Sequence, residues 1–131
     1  MKKLFVSIPM KGRSEEEIRK SIAKMKNIVE AYEGEEVELI DSYVKDNPPE
    51  NNNQAVWYLA ESIKKLAEAD LMASIDDRYS WNGCAVEYEV ACRYGIKVYT
   101  IPEEVVIDNY SELINKVFNA VPGCQAKRCN L

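Results

Sequence analysis

Between positions 76 and 82 the chain gathers two carboxylates, a guanidinium, two aromatic rings and an amide: Asp76, Asp77, Arg78, Tyr79, Trp81 and Asn82. Gly83 follows and Glu87 stands four residues later, so the two share one face of a helix that begins there. A carboxylate one turn into a helix, beneath such a loop, can act on a bound molecule. Trp81 or Tyr79 would stack on a planar ring, and Asn82 would hydrogen-bond a sugar or base. Glu89 lies about 200° around the helix from Glu87, so at most one of them faces a common crevice. The small Ala91, one turn on, favours Glu87. The ordinary alternative is a surface helix with both glutamates solvated and Trp81 filling an apolar gap.

A second stretch, Ser7-Ile8-Pro9-Met10-Lys11-Gly12-Arg13-Ser14, ends one element and opens another. Free amides at a helix start attract phosphate or carboxylate, and Lys11 and Arg13 add charge. A lone Gly12 is no phosphate-loop signature, and a tight turn with a solvated basic pair is the competing reading. The glutamates at 15, 16 and 17 would also oppose an anion. Asp70 and Asp41 are either simple strand-end residues or carboxylates that hold a neighbouring loop. Cys84, near a helix start, is either activated there or a small buried residue; Tyr58, Tyr79 and Tyr88 read as packing.

Composition narrows the chemistry. The chain has 131 residues and no histidine, which excludes Ser-His-Asp and Cys-His nucleophile pairs and His-ligated metal. Acid–base or nucleophilic work falls to carboxylates, Tyr, Lys or Cys. Seventeen Lys+Arg against 22 Asp+Glu give a net charge of −5, which argues against a nucleic-acid polymer or an anionic membrane as partner. The four cysteines match no metal or redox spacing, so neither a metal nor a cofactor is expected; Cys124 and Cys129 read as two surface thiols, with a local disulfide between them as the alternative. Residues 4–10 are too short an apolar stretch for a signal peptide, and no run reaches membrane-spanning length. A cytoplasmic protein is expected.

Apolar runs predict strands at 3–8, 36–40, 70–75 and 96–101. Helical spacing predicts helices from a Ser14 cap to about 32, and at 54–69, 84–94 and 110–120, with Ile18, Ile22, Met25 and Val29 as the first helix's apolar stripe. Ser14 with Glu17 forms a capping-box pattern, and Gly34 stops that helix. Strict strand–helix alternation predicts one three-layer αβα domain over 1–122 with a tail at 123–131. Its parallel, four-stranded, flavodoxin-like sheet has the expected order 2-1-3-4. The switch point between strands one and three is where such folds bind ligands, and both unusual loops meet there.

Three segments resemble the nucleoside 2-deoxyribosyltransferase-like superfamily, in particular its short phage and bacterial members. They are Leu4-Phe5-Val6-Ser7-Ile8-Pro9-Met10-Lys11-Gly12, then Ala69-Asp70-Leu71-Met72, then Trp81-Asn82-Gly83-Cys84-Ala85-Val86-Glu87-Tyr88-Glu89-Val90-Ala91 through Gly95-Ile96-Lys97-Val98. The resemblance spans roughly residues 3–101. It implies that Glu87 is the nucleophile, Gly83 the helix-opening glycine and Asp70 the strand-start aspartate. The family's strand-one tyrosine, which helps hold the glutamate, falls on Phe5, which has no hydroxyl. The implied reaction is attack of the Glu87 carboxylate on the anomeric carbon of a nucleoside or nucleotide, forming a glycosyl-enzyme ester that a second base or water resolves. Asp76 or Asp77 would protonate the leaving base or orient the sugar. Ser7, Met10, Lys11, Gly12, Arg13, Asp70, Trp81, Asn82 and Gly83 would bind substrate. The resemblance also implies a homo-oligomer in which a neighbouring chain completes the site. The alternatives are a non-catalytic binder of a nucleotide or ADP-ribose-like ligand and an oligomeric adaptor.

Overall fold

Residues that start and stop helices set the frame. In the computed structural model, which describes residues 1–119, Ser14 accepts from the Glu17 amide and Glu17 reaches back to the Ser14 amide, opening α1 (Glu15–Glu33). Gly34 closes α1 with φ 74°, a left-handed conformation that glycine adopts without a Cβ penalty. Asn53 caps α2 (Gln54–Leu66) through its side chain. The strands are β1 (Lys2–Ser7), β2 (Val37–Leu39), β3 (Leu71–Ile75) and β4 (Lys97–Ile101). A 3-10 turn at Arg78–Ser80 leads into α3 (Asn82–Arg93). After β4 come α4 (Glu103–Val106) and α5 (Tyr110–Ile114), which widens into a π-helical turn over Asn115–Asn119.

All pairings are parallel and the order is β2-β1-β3-β4, so the fold is the three-layer flavodoxin-like arrangement expected from the alternation. Element bounds differ in instructive ways. The second helix stops at Leu66 because the Glu68 and Ala69 amides turn back to Lys65 and Leu66 in tight i→i−3 bonds. The third helix starts at Asn82, earlier than the spacing indicates, because Trp81 is extended (φ −130°) and its carbonyl already accepts the Ala85 amide. Neither the 3-10 turn nor α4 was foreseen; both are single turns too short to show a period. The expected tail at 123–131, with Cys124 and Cys129, and the end of the expected last helix lie outside the described residues.

Side chains alternate across the sheet. Leu4, Val6, Leu71, Ala73 and Ile75 pack against Ile18, Ile22, Met25 and Val29 of α1 and against Val106, Tyr110, Leu113 and Ile114 of α4 and α5. The opposite layer is smaller: Phe5 and Met72 meet Leu66 of α2 and Ala91 of α3. Among the described residues no helix is long and apolar enough to cross a membrane.

Candidate active site

The smaller apolar layer explains where polar chemistry is placed. Its buried members are Phe5, Met72, Leu66 and Ala91, one from each of β1, β3, α2 and α3. Two residues further along each strand on the same face come Ser7 and Ser74. One turn back along each helix on the same face come Ser62 and Glu87. In a strand–helix–strand unit the helix runs opposite to its strands, so all four steps lead toward the carboxyl edge of the sheet. Ser7 and Ser74 are register partners there. At that edge the layer changes from hydrocarbon to three hydroxyls and one carboxyl.

Glu87 is 7% exposed and Ser7 1%, and the Ser7 hydroxyl donates to Glu87 Oε1 at 2.6 Å. Burial pushes the Glu87 carboxyl up to about 7, and the hydroxyls of Ser7 and Ser62 pull against that rise. Desolvation disfavours the charged form, whereas hydrogen bonds to that form favour it. Ser74 is fully enclosed and donates to the Ile75 carbonyl at 3.2 Å. Cys84, one turn before Glu87, is buried, and both burial and the Glu87 charge push its thiol up, so it stays protonated. A thiol in that state is not the nucleophile. Among the described residues no cluster of three or more His, Cys, Asp or Glu side chains is placed to hold a metal ion.

The first turn of α3 lies beside this carboxyl. It carries no side-chain cap and no acidic residue. Asn82 and Gly83 are exposed, and a Cβ on Gly83 would meet no atom within 4 Å. Unpaired amides at such a helix start favour an anion.

Most of the other expected site residues have partners of their own. Asp76 Oδ1 accepts the Glu103 amide at 3.1 Å. Asp77 accepts from the Ser80 hydroxyl at 2.8 Å and the Tyr110 hydroxyl at 2.7 Å. Both acids are thus engaged with the turn, α4 and α5. Trp81 is buried, donates its ring N–H to the Tyr110 hydroxyl at 3.0 Å and packs on Phe118 with ring centroids 5.2 Å apart. It braces the loop instead of lining an open crevice. Asp70 stands at the opposite, amino edge, where it accepts the Lys3 amide at 2.8 Å. The five residues of β3 separate it from Ser74 and Ile75 by roughly 13–17 Å.

The first loop is fastened to the α1 side. Arg13 donates to the Pro9 carbonyl at 3.0 Å, the Glu17 carbonyl at 3.2 Å and the Ser21 hydroxyl. Met10 packs on the larger core. Gly12 has φ 77°, its carbonyl accepts from Lys116, and a Cβ there would meet Val117 Cγ2 at 3.2 Å. Lys11 remains exposed. A hollow of about 690 Å³ lies by Asp77, Glu103, Tyr110 and Glu112, and one of about 540 Å³ by Leu66, Asp70, Val90 and Tyr94. Neither is lined by Glu87. The larger is open and lined by acidic side chains.

Sequence reasoning missed Ser62 and Ser74, and did not pair Ser7 with Glu87. The signal was present as a polar residue at the next same-face position of each element. Comparisons with known families, with curated proteins and with solved structures return no match.

Proposed function

We propose that the chain acts on the N-glycosidic bond of nucleosides or nucleotides, with Glu87 as nucleophile. The observation that carries this reading is a buried glutamate at the carboxyl edge of a parallel sheet, held by the Ser7 hydroxyl, with its carboxyl pushed up to about 7 by burial. Such a group is about half ionised at neutral pH, and its charged form, being poorly solvated, is left reactive. The chain's lack of histidine and the resemblance of the segment around Glu87 to deoxyribosyltransferase-like proteins support the same reading.

In the proposed reaction a Glu87 oxygen bonds to the anomeric carbon as the bond to the base breaks. The electron pair leaves with the base, which takes a proton from solvent. Water or a second base then attacks the same carbon, gives up a proton to solvent and releases the Glu87 carboxylate. Asp76 and Asp77 are committed to α4 and α5 and have no role in this version. The uncapped start of α3 supports extending the substrates to 5′-phosphorylated nucleotides, with the exposed Lys11 as a cation able to assist. Val56 (59% exposed) and Tyr58 (36% exposed) on α2 support a homo-oligomer, which light scattering of the purified chain would test.

The test incubates the protein with deoxynucleosides, nucleotides and NAD and follows free base by chromatography. Base release by the wild type and none by Glu87→Gln is the expected result. No released base, with the two proteins indistinguishable, overturns the enzyme reading. A thermal-shift gain with a nucleotide but no turnover would then favour a binder.

A further inference from the structure

We propose that Ser7 and Ser62 are positioning residues for Glu87, Ser7 a fixed one carried by the central strand and Ser62 a releasable one carried by α2. This rests on Glu87 being the reactive carboxylate. The geometry is specific to this chain. Phe5, at the position where the resemblance would put a hydroxyl-bearing tyrosine, is 1% exposed and packs in the apolar layer. Ser7, one same-face step nearer the carboxyl edge, donates to Glu87 at 2.6 Å. The supporting hydroxyl is therefore supplied by a shorter side chain placed closer to the acid.

Ser62 shares its helix face with Leu66 and so points toward the same layer. One turn before the buried Leu66, its hydroxyl is placed on the side of the same carboxyl, whose charged form a hydroxyl there favours. The two supports differ in how firmly they are mounted. Ser7 ends the buried central strand β1, whose register with β3 runs through Ser7 itself and whose start is also paired to β2. Of the thirteen residues of α2, only Leu66 is buried. Substrate must reach a carboxyl that is now 7% exposed, and displacement of α2 opens that route while Ser7 keeps its hold. Ser62 then gives up its place to the incoming sugar and returns when product leaves.

Direct titration of the Glu87 carboxyl, by carbon-13 NMR of labelled protein with Glu87→Gln used for assignment, tests this without any substrate. Loss of a hydrogen bond to the charged form raises a carboxyl by about one unit. Ser7→Ala is expected to move the midpoint from about 7 to about 8. Ser7→Thr is expected to restore it, and Ser62→Ala to give a smaller rise. Amide exchange is expected to show α2 opening more readily than β1. Midpoints unchanged in both alanine variants, with native melting behaviour, overturn the proposal even if base is released. Equal shifts from both, or equal protection of α2 and β1, overturn the fixed-and-releasable distinction. If the wild type releases no base but the shifts are seen, the positioning pair stands and the glycosidic reading fails.

Discussion

Two glutamates at opposite edges of the fold are treated in opposite ways. Glu33, at the end of α1, is a half-buried residue with a well-covered side chain, whereas Glu87 is buried. Glu33 pairs with Lys2 and Lys97, each at 2.8 Å, and accepts from the Tyr99 hydroxyl. Those hydrogen bonds, from Lys2 first, hold it at about 2. Glu87 receives hydroxyls but no ion pair among the described residues, and burial carries it to about 7. Burial and the partners within reach together decide what a carboxylate does. Cations turn Glu33 into a tie between α1, β1 and β4. With no ion pair among the described residues to offset it, burial holds the Glu87 carboxyl above the usual carboxylate range.

The largest expected effect is on turnover. Glu87→Gln should lower base release by at least ~10³-fold, as expected for removal of a nucleophile, whereas Glu33→Gln should leave it near wild type under conditions where both fold. Across pH, kcat/KM should rise as Glu87 ionises, with an acidic limb near 7. A limb near 4 would show that burial does not govern the reacting group.

Stability should separate the two acids next. Glu87 binds its proton more tightly when folded, so its favourable contribution is full below about 4.5 and is lost as the pH rises through about 7. Glu87→Gln removes that cost and should be more stable than the wild type above pH 7 by on the order of 3 kcal/mol. Urea titrations should show the two proteins converging toward pH 4.

Glu33 has the reverse sign. Its contribution is present above about 4.5 and is lost as the pH falls toward about 2. Glu33→Gln should therefore lower the melting temperature at pH 7, with the gap narrowing in acid. A smaller effect is expected at Trp81. Trp81→Phe removes the bond to Tyr110 and should cost about 1 kcal/mol of stability while leaving KM unchanged. A raised KM with unchanged stability would return Trp81 to the substrate.

These contrasts also show what a sequence can reveal. The strand order, the capping box of α1 and the location of Glu87 near the switch point follow from local periodicity and from alternation of elements. The duties of Asp77 and Trp81 do not, because both depend on Tyr110, about thirty residues away on α5. Asp70 lay in a motif-like segment, but its place at the start of β3 puts it at the amino edge, opposite the site. Arg13 looked like a free cation until Pro9, Glu17 and Ser21 accounted for its guanidinium. Ser62 needed only the i−4 step from Leu66, which becomes meaningful once Leu66 is known to be the buried anchor of α2.

The central claim concerns one bond, between Glu87 and a sugar carbon. A 2-deoxy-2-fluoro nucleoside, whose fluorine slows breakdown of a glycosyl ester, can accumulate that bond for peptide mass spectrometry. The prediction is a single added fluorosugar mass on the peptide containing Glu87, absent from Glu87→Gln. No adduct, or an adduct on any other residue, would contradict it.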